Sequence, residues 1–512
     1  MMAESAIQRL FVLPMKRGFG LRFRLLLIAV LTAICLALPA DAAAQEPALP
    51  DGLGGEDSKQ QQEQEGPTLP SGLGKGSATE QPAGPKLPAG LEEKGQTPTG
   101  SDKPDRSLRD RLPFKLSGFW EVRGGMRVVN DPDHKQESLG ETRLQLEMDK
   151  YWKEMSFELT ADLVYDPVGE EHEVNLEDGE GAVDLREARL TLSPSQYLDL
   201  RLGRQVLTWG TGDQIFINDL FPKDWRSFFI GRDVAYLKAP SDALKASFFS
   251  GPVNLDIVYT PRFDADRFIN GERISYWSSR LGRLAGRDAV IEVDKPDDWF
   301  QDDEIAARIY RNLAGYELAA YFYDGFWKSP AGQDPLSGKA FFPKLRVYGA
   351  SLRGTLGPGV ANLELGYYDS REDSSGEDPF VANSELRLLL GYEQEIAEQL
   401  TLGLQYYLEH MLDYEAYRRT LPGSMEPEDE DQQQITLRLT KQLLMETLEL
   451  SLFTYYSPTA QDVHLRPEIT YDLTDAWTLD CGANLFYGQD RHTFFGQFEN
   501  NSNVYLGLRY SF

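Results

Sequence analysis

The chain has 512 residues, with 52 Lys and Arg against 81 Asp and Glu, a formal net charge of −29 and 41% hydrophobic residues. So acidic a balance excludes nucleic acid as a natural partner, because phosphate binding needs clustered Lys and Arg. It suits a solvated surface.

The chain opens with a leader. Leu25 to Leu38 is apolar, follows Lys16, Arg17, Arg22 and Arg24, and runs into Ala42-Ala43-Ala44. A basic region, an apolar core too short to span comfortably as a helix, and small residues at the exit make a secretory signal peptide over residues 1–44. The competing reading is an N-terminal membrane anchor, and Met15 is an alternative start. Cleavage after Ala44 removes five basic and two acidic residues and leaves a net charge of −32. Cys35 leaves with the leader, and Ile34 before it does not suit a lipid-anchor site. Cys481 then has no partner for an internal disulfide.

Residues 45–112 are rich in Pro, Gly, Gln and Glu and contain no aromatic residue. Such a composition cannot offset the entropy of ordering, so a disordered periplasmic tail is expected. One phrase returns three times, as Leu49-Pro50-Asp51-Gly52-Leu53, Leu69-Pro70-Ser71-Gly72-Leu73 and Leu87-Pro88-Ala89-Gly90-Leu91. It is either slippage in a low-complexity linker or a set of docking motifs carried by Leu49, Leu53, Leu69, Leu73, Leu87 and Leu91.

From Pro113 the pattern becomes period two. Leu116, Trp120, Val122, Met126 and Val128 share one face, while Lys115, Ser117, Glu121, Arg123 and Arg127 share the other. Met155, Phe157, Leu159, Ala161 and Leu163 oppose Ser156, Glu158, Thr160 and Asp162. Val463, Leu465, Ile469 and Leu473 oppose His464, Arg466, Glu468, Thr470 and Asp472. This is the signature of strands with one apolar face.

A soluble sandwich also alternates, so the connections decide. Eight short turns interleave with nine long loops, which implies eighteen strands over residues 113–512, with sixteen as the nearest alternative. Short periplasmic turns, long outer loops and an even strand count are the habit of bacterial outer-membrane barrels. The expected fold is therefore an all-β transmembrane antiparallel barrel in the outer membrane, with both termini periplasmic. The closing strand Val504, Leu506, Leu508, Tyr510, Phe512 resembles the signal read by the barrel-assembly machinery. Tyr151, Trp152, Tyr197, Tyr259, Tyr392, Tyr455, Trp477 and Tyr487 lie near strand ends and are expected to form girdles against the membrane lipids.

Strand phase also sorts the lumen. Arg123, Arg127, Arg143, Arg189, Arg201, Arg308, Arg387, Arg438 and Arg466 point inward with Glu121 and Glu158. Interspersed charges can be a structural salt-bridge lining or a ladder that conducts a polar or anionic solute. Two loops are candidate constrictions. Residues 208–242 carry Asp213, Asn218, Asp224, Arg226 and Arg232. Residues 261–302 include Ile274 to Leu284, with apolar and basic residues at near-helical spacing.

The segment Leu200-Arg201-Leu202-Gly203-Arg204-Gln205-Val206-Leu207-Thr208-Trp209-Gly210, followed by Asn218, Phe221-Pro222 and Asp224, resembles a strand-to-loop element of an uncharacterised proteobacterial outer-membrane family. That family is often associated with RND-type MMPL exporters and a LolB-like periplasmic lipoprotein. The Gly-Arg-Gln phrase running into an aromatic-Gly pair is also similar to the eighteen-stranded alginate-export barrels. The resemblance covers about 25 residues. It implies movement of large or hydrophobic molecules across the outer membrane, with an RND/MMPL-type exporter or periplasmic carrier as partner. Arg204 falls on the apolar phase, so it must lie past the membrane edge or at a bulge.

The leading function is thus a channel or exit duct, and the alternative is a structural or adhesive barrel presenting its loops. An enzyme barrel is the weakest reading. The histidines are His134, His172, His410, His464 and His492, and no nucleophile motif, phosphate loop, metal-ligand cluster or cofactor signature accompanies them.

Overall fold

The computed structural model describes residues 113–169, 173–176, 181–423 and 425–512. The leader and the six tail leucines (Leu49, Leu53, Leu69, Leu73, Leu87 and Leu91) lie outside the described residues.

Eighteen strands form one closed antiparallel sheet. They are β1 (Lys115–Arg127), β2 (Glu137–Tyr151), β3 (Met155–Tyr165), β4 (Val183–Ser195), β5 (Leu198–Val206) and β6 (Pro240–Phe249). Next come β7 (Asn254–Thr260), β8 (Glu304–Leu313), β9 (Tyr316–Phe326), β10 (Lys344–Leu356), β11 (Gly359–Ser370) and β12 (Glu385–Ala397). The last are β13 (Leu400–Met411), β14 (Asp431–Leu443), β15 (Leu448–Ser457), β16 (Asp462–Thr474), β17 (Trp477–Gly488) and β18 (Asn503–Ser511). Each pairs with its sequence neighbour, and β18 closes on β1, from Phe119 opposite Ser511 to Arg127 opposite Asn503. No edge remains, which is the condition for crossing a bilayer with strands.

The alternation becomes an inside and an outside. On the outside, Trp120, Val122, Met126, Ile305, Ile309, Leu386, Leu390, Val504 and Leu506 are each 41–55% exposed. An apolar surface of that extent belongs in lipid, and a closed barrel of strands places it in the bacterial outer membrane. Tyr151, Trp152 and Tyr197 stand exposed beside the short turns as one girdle. Tyr455 does not join the girdle. It faces inward, is buried, and donates to the Gln214 carbonyl at 3.0 Å. Position near a strand end misled there, where phase decides. Arg204 lies at the outer end of β5, just after a left-handed Gly203 (φ 113°), and pairs with Asp242 of β6 at 2.8 Å.

The wall is uneven. A 13-residue strand such as β1 rises about 33 Å across the membrane at ~3.3 Å per residue and ~40° tilt. The stretch β5 to β8 has strands of 9, 10, 7 and 10 residues, and its lowest point is only about 18 Å tall on the same geometry. The two longest loops, β5–β6 and β7–β8, start from this low rim. The second is no helix: Tyr276–Ser278 pairs with Arg283–Ala285 as a two-stranded ribbon. The near-helical spacing there is a coincidence, and Ile274 just before the ribbon is buried in the interior cluster.

The outward face gives a direct test. Leu506→Arg, on the lipid side of β18, should cost about 2–4 kcal/mol if it sits near the bilayer midplane, with Leu506→Ala costing far less. Reversible unfolding from lipid vesicles measures both. Equal stabilities would place this face out of the hydrocarbon.

Candidate functional site

Beyond Val206 the chain turns into the barrel rather than outward, and it regains the wall at Pro240. Gly210 makes the turn in a left-handed conformation (φ 84°), and a Cβ there would sit 3.1 Å from the Glu364 carboxylate. Trp209 just before the turn, and Ile215, Ile217 and Phe221 after it, are buried. Asp224 then caps a short helix, α1 (Trp225–Ile230), accepting from the Ser227 amide and hydroxyl at 2.7 Å each. Gly231 ends the helix with φ 98°, and a Cβ on it would lie 2.4 Å from the Tyr505 ring. Asp233 caps the next turn, Val234–Leu237, through the Ala235 amide at 2.9 Å.

A loop in a barrel brings its backbone donors and acceptors with it, and each needs a partner. The wall supplies them. Buried Glu364 of β11 accepts from the amides of Thr211, Gly212 (2.8 Å) and Asn218 (3.3 Å) and from the Asn218 side chain (2.9 Å). Gln405 of β13 accepts from the Asp213 amide and donates to the Asp213 carbonyl, at 2.7 and 2.8 Å. Tyr368 donates to the Ile217 carbonyl. The Phe229 carbonyl takes three side-chain amides, from Asn484 (3.3 Å), Asn501 (3.1 Å) and Asn503 (2.9 Å). Arg123 donates to the Gly231 carbonyl (3.2 Å), and Arg186 to that of Lys238 (2.7 Å).

The β7–β8 loop lies over this insert. Arg267 reaches Asp184 of β4 at 3.0 Å and Asp224 at 3.2 Å. Its backbone amide donates to the Lys223 carbonyl and its carbonyl accepts from the Trp225 amide. Among carboxyls of the inserted loop, burial alone would raise Asp224 and Asp233. Arg267 holds the first, and Arg509 the second, below the ordinary carboxylate value.

The apolar side chains make the seal. Leu207, Trp209, Ile215, Ile217, Phe221, Phe228, Phe229, Ile230 and Leu237 of the loop share one cluster with Val258, Tyr321, Val347, Tyr368, Leu389, Phe453, Tyr455 and Phe486 of the wall. Exposure of the inward residues therefore changes with depth. On β14 Thr436 is sealed, while Arg438, Thr440 and Gln442 below it are half-buried. On β16 Asp462, His464 and Arg466 are sealed and Glu468 and Thr470 are not. On β18 Asn503, Tyr505 and Gly507 are sealed and Arg509 is not. The outer half of the barrel is packed around the loop, and the half nearer the short turns is a polar vestibule.

This divides the inward charges. Glu121, Arg123, Arg127, Arg143 and Arg466 face the interior as their phases require, yet they are buried beneath the loops. Arg143 lies in a network with Glu141 and Asp162, and Arg466 stacks on Phe228 at 4.2 Å. Arg127 pins the outer loops through the Arg273 carbonyl at 2.7 Å. Arg387 is held between Glu385 (2.6 Å) and Glu409 (3.1 Å) over the Tyr368 ring, near the outer end of β12. Glu158, Arg189, Arg201, Arg308 and Arg438 reach the vestibule wall. Glu158 pairs with Arg189, and Arg308 with Glu317 at 2.5 Å. Arg201 stands directly opposite Lys245 in register, a like-charged pair.

Of the loop residues, Asp213 pairs with Arg438, Asn218 with Glu364, and Arg232 with Glu141 at 2.7 Å. Asp224 and Arg226 are buried inside the insert. His464 is packed between Tyr455 and Phe486 with its Nε2 on Asn484 at 3.1 Å. Among the described residues no three His, Cys, Asp or Glu side chains are grouped to hold a metal. Sequence reasoning did not single out Glu364 as a site. The signal was there: its cross-strand partners are Ser351 and Leu389, so an inward carboxylate has no wall cation beside it.

No family model matches this chain, and no curated protein does. Solved structures similar to it include OccAB4 of Acinetobacter baumannii, with a TM-score of 0.49, 10% identity, and 78% of this chain and 98% of that one covered. OccK11 (OpdR) of Pseudomonas aeruginosa gives 0.46 and 10%, over 77% and 95% of the two chains. The outer membrane channel DcaP of Acinetobacter baumannii gives 0.38 and 13%, over 78% and 97%.

Glu364 is the testable anchor. Glu364→Ala leaves several loop donors unpaired, at about 1–3 kcal/mol for each orphaned group. Amide hydrogen exchange across Thr211–Asn218 should rise sharply while exchange in β11 stays slow. Gly349→Ala should act in the same direction, because the added Cβ would fall 1.7 Å from the Asn218 Oδ1. Unchanged exchange in both variants would mean that the apolar cluster holds the loop unaided.

Proposed function

We propose that this chain is an outer-membrane channel or exit duct that moves a polar, anionic or lipid-like solute and is closed at rest by the β5–β6 loop. The observation that carries this reading is the placement of the seal. One loop, rooted in two adjacent strands, fills the outer half of an eighteen-stranded barrel, while a charged vestibule lies on the periplasmic side. A barrel of this size has room for an aqueous passage once its interior is vacated. Deleting residues 212–236 should raise conductance in planar bilayers and antibiotic entry into cells. If a correctly assembled deletion conducts no more than the parent, the loop is not the gate, and the reading as a structural or adhesive barrel takes over.

The tail supports a second element of the proposal. Three Leu-Pro-x-Gly-Leu phrases on one tether would dock on a periplasmic partner, an RND/MMPL-type exporter or its carrier. Each hook would bind weakly, since the chain must order on contact, but three raise the effective concentration and the avidity. Stretched flat, some 66 residues reach up to about 220 Å, and a relaxed coil covers far less. Changing all six leucines to serine should deplete that partner in a crosslinking pull-down. Identical capture with an assembled barrel would reduce the phrases to linker.

A further inference from the structure

The loop meets the wall through ion pairs of two kinds, wet and buried. Asp213 and Arg438 form a bidentate pair, with Nη2 to Oδ1 at 2.7 Å, and their side chains are 39% and 28% exposed. Asp233 meets Arg509 at 2.9 Å, and those side chains are 29% and 24% exposed. By contrast, the loop–wall pair Arg232–Glu141 is buried. Both wet pairs have the same polarity, with the carboxylate on the loop and the guanidinium on the wall. Both arginines sit just below the sealed residues of their strands: Arg438 below Thr436, and Arg509 below Asn503, Tyr505 and Gly507. Water that reaches them therefore comes from the vestibule.

We propose that Asp213 and Asp233 are built-in competitors for an anion-binding site, and that Arg438 and Arg509 receive the carboxylate, sulfate or phosphate groups of a solute arriving from the periplasmic side. Asp213 occupies the Nε–Nη2 fork of Arg438 that the solute would use. Asp233 takes Nη2 of Arg509, whose Nε–Nη2 fork is shared with Glu121 of the wall. Binding of the solute and seating of the loop therefore exclude each other fully at Arg438 and at one nitrogen of Arg509. The remaining contacts fit this division. Among the described residues Asp213 is the ion-pair partner of Arg438, so its departure leaves the fork free. Arg509 keeps Glu121 at 2.7 Å when Asp233 leaves, which makes that tie the easier one to break. Gly210 (φ 84°) and Gln214 (φ 58°) flank the Asp213 segment in left-handed conformations. A swing of the backbone between them gives up the Gln405 and Tyr455 contacts of Asp213 and Gln214 but leaves α1 in place, which three asparagines hold through Phe229. A ligand can shift such an equilibrium only by its differential affinity for the two states, and here the free fork supplies the difference.

The proposal rests on the channel reading, and one set of recordings separates the two. The full barrel is inserted in planar bilayers with known orientation, at constant ionic strength, with citrate or pyrophosphate added to one side. Wet ion pairs are weak, so Asp213→Asn and Asp233→Asn should each raise open probability about two- to fivefold, and the double variant by roughly the product of the two. Citrate or pyrophosphate on the short-turn side should open the parent and have little effect from the loop side or on the double variant. Equal stimulation from both sides, or equal stimulation of parent and double variant, overturns the competition. If the 212–236 deletion conducts while the aspartate variants gate like the parent, the competition fails and the channel stands. If the deletion itself does not conduct, the channel reading fails first. Hydrogen exchange at Thr211–Gln214 with and without citrate supplies a readout independent of conductance.

Discussion

A loop that enters a barrel must bring its own hydrogen-bonding accounts to a close without bulk water, and that constraint organises this molecule. An unpaired buried amide or carbonyl costs about 1–3 kcal/mol, so an insert of some thirty residues is tolerated only where the wall answers it group by group. Glu364, Gln405 and Tyr368 on one side, and Asn484, Asn503, Arg123 and Arg186 on the other, are those answers. They come from strands all round the barrel. The loop is thereby fixed across the lumen rather than against one side of it, and the apolar cluster can close over the remaining space.

The loop that fills the lumen starts from the low rim at β5–β8. Short strands end their pairing deep, and a chain leaving β5 at Val206 starts below the level where the other loops begin. The β7–β8 loop starts from the same low side and covers the insert, with Arg267 tying both to β4. Packing from above and polar satisfaction from the sides bury most of the insert, while Asp213 and Asp233 stay partly exposed. The vestibule is the volume the loop does not reach, and its arginines and carboxylates remain accessible for that reason.

Burial also reorders the roles of the inward charges. Arg143 and Arg466 carry the same phase as Arg438, yet they are enclosed by carboxylates and aromatic rings and act as supports. A buried ion pair of this kind fixes geometry more surely than it adds stability, which suits a wall that has to present a set pattern of partners to an irregular loop. Arg438 and Arg509, a few residues closer to the short turns, stay partly exposed.

The barrel itself was legible in the sequence, because a strand's two faces are set by a period of two and the solvents on either side differ. Leu506 and Val122 had to face lipid, and Arg123 and Glu121 had to face inward, whatever the loops did. Strand count followed from the alternation of short and long connections. The long segment after Val206 was visibly aromatic and basic, and its entry into the lumen was a reasonable expectation from that. What the sequence could not settle was which inward residues meet water. Leu389, Phe453, Tyr455 and Phe486 are inward and apolar, a trace of a packed interior, but alternation treats them as exceptions and position near a strand end put Tyr455 in the wrong place. Glu364 reads as one lining carboxylate among many until the amides of Thr211, Gly212 and Asn218 converge on it from some 150 residues away. Phase is a local property of the backbone, so sequence determines it. Enclosure depends on where a distant loop comes to rest, and only the tertiary structure decides that.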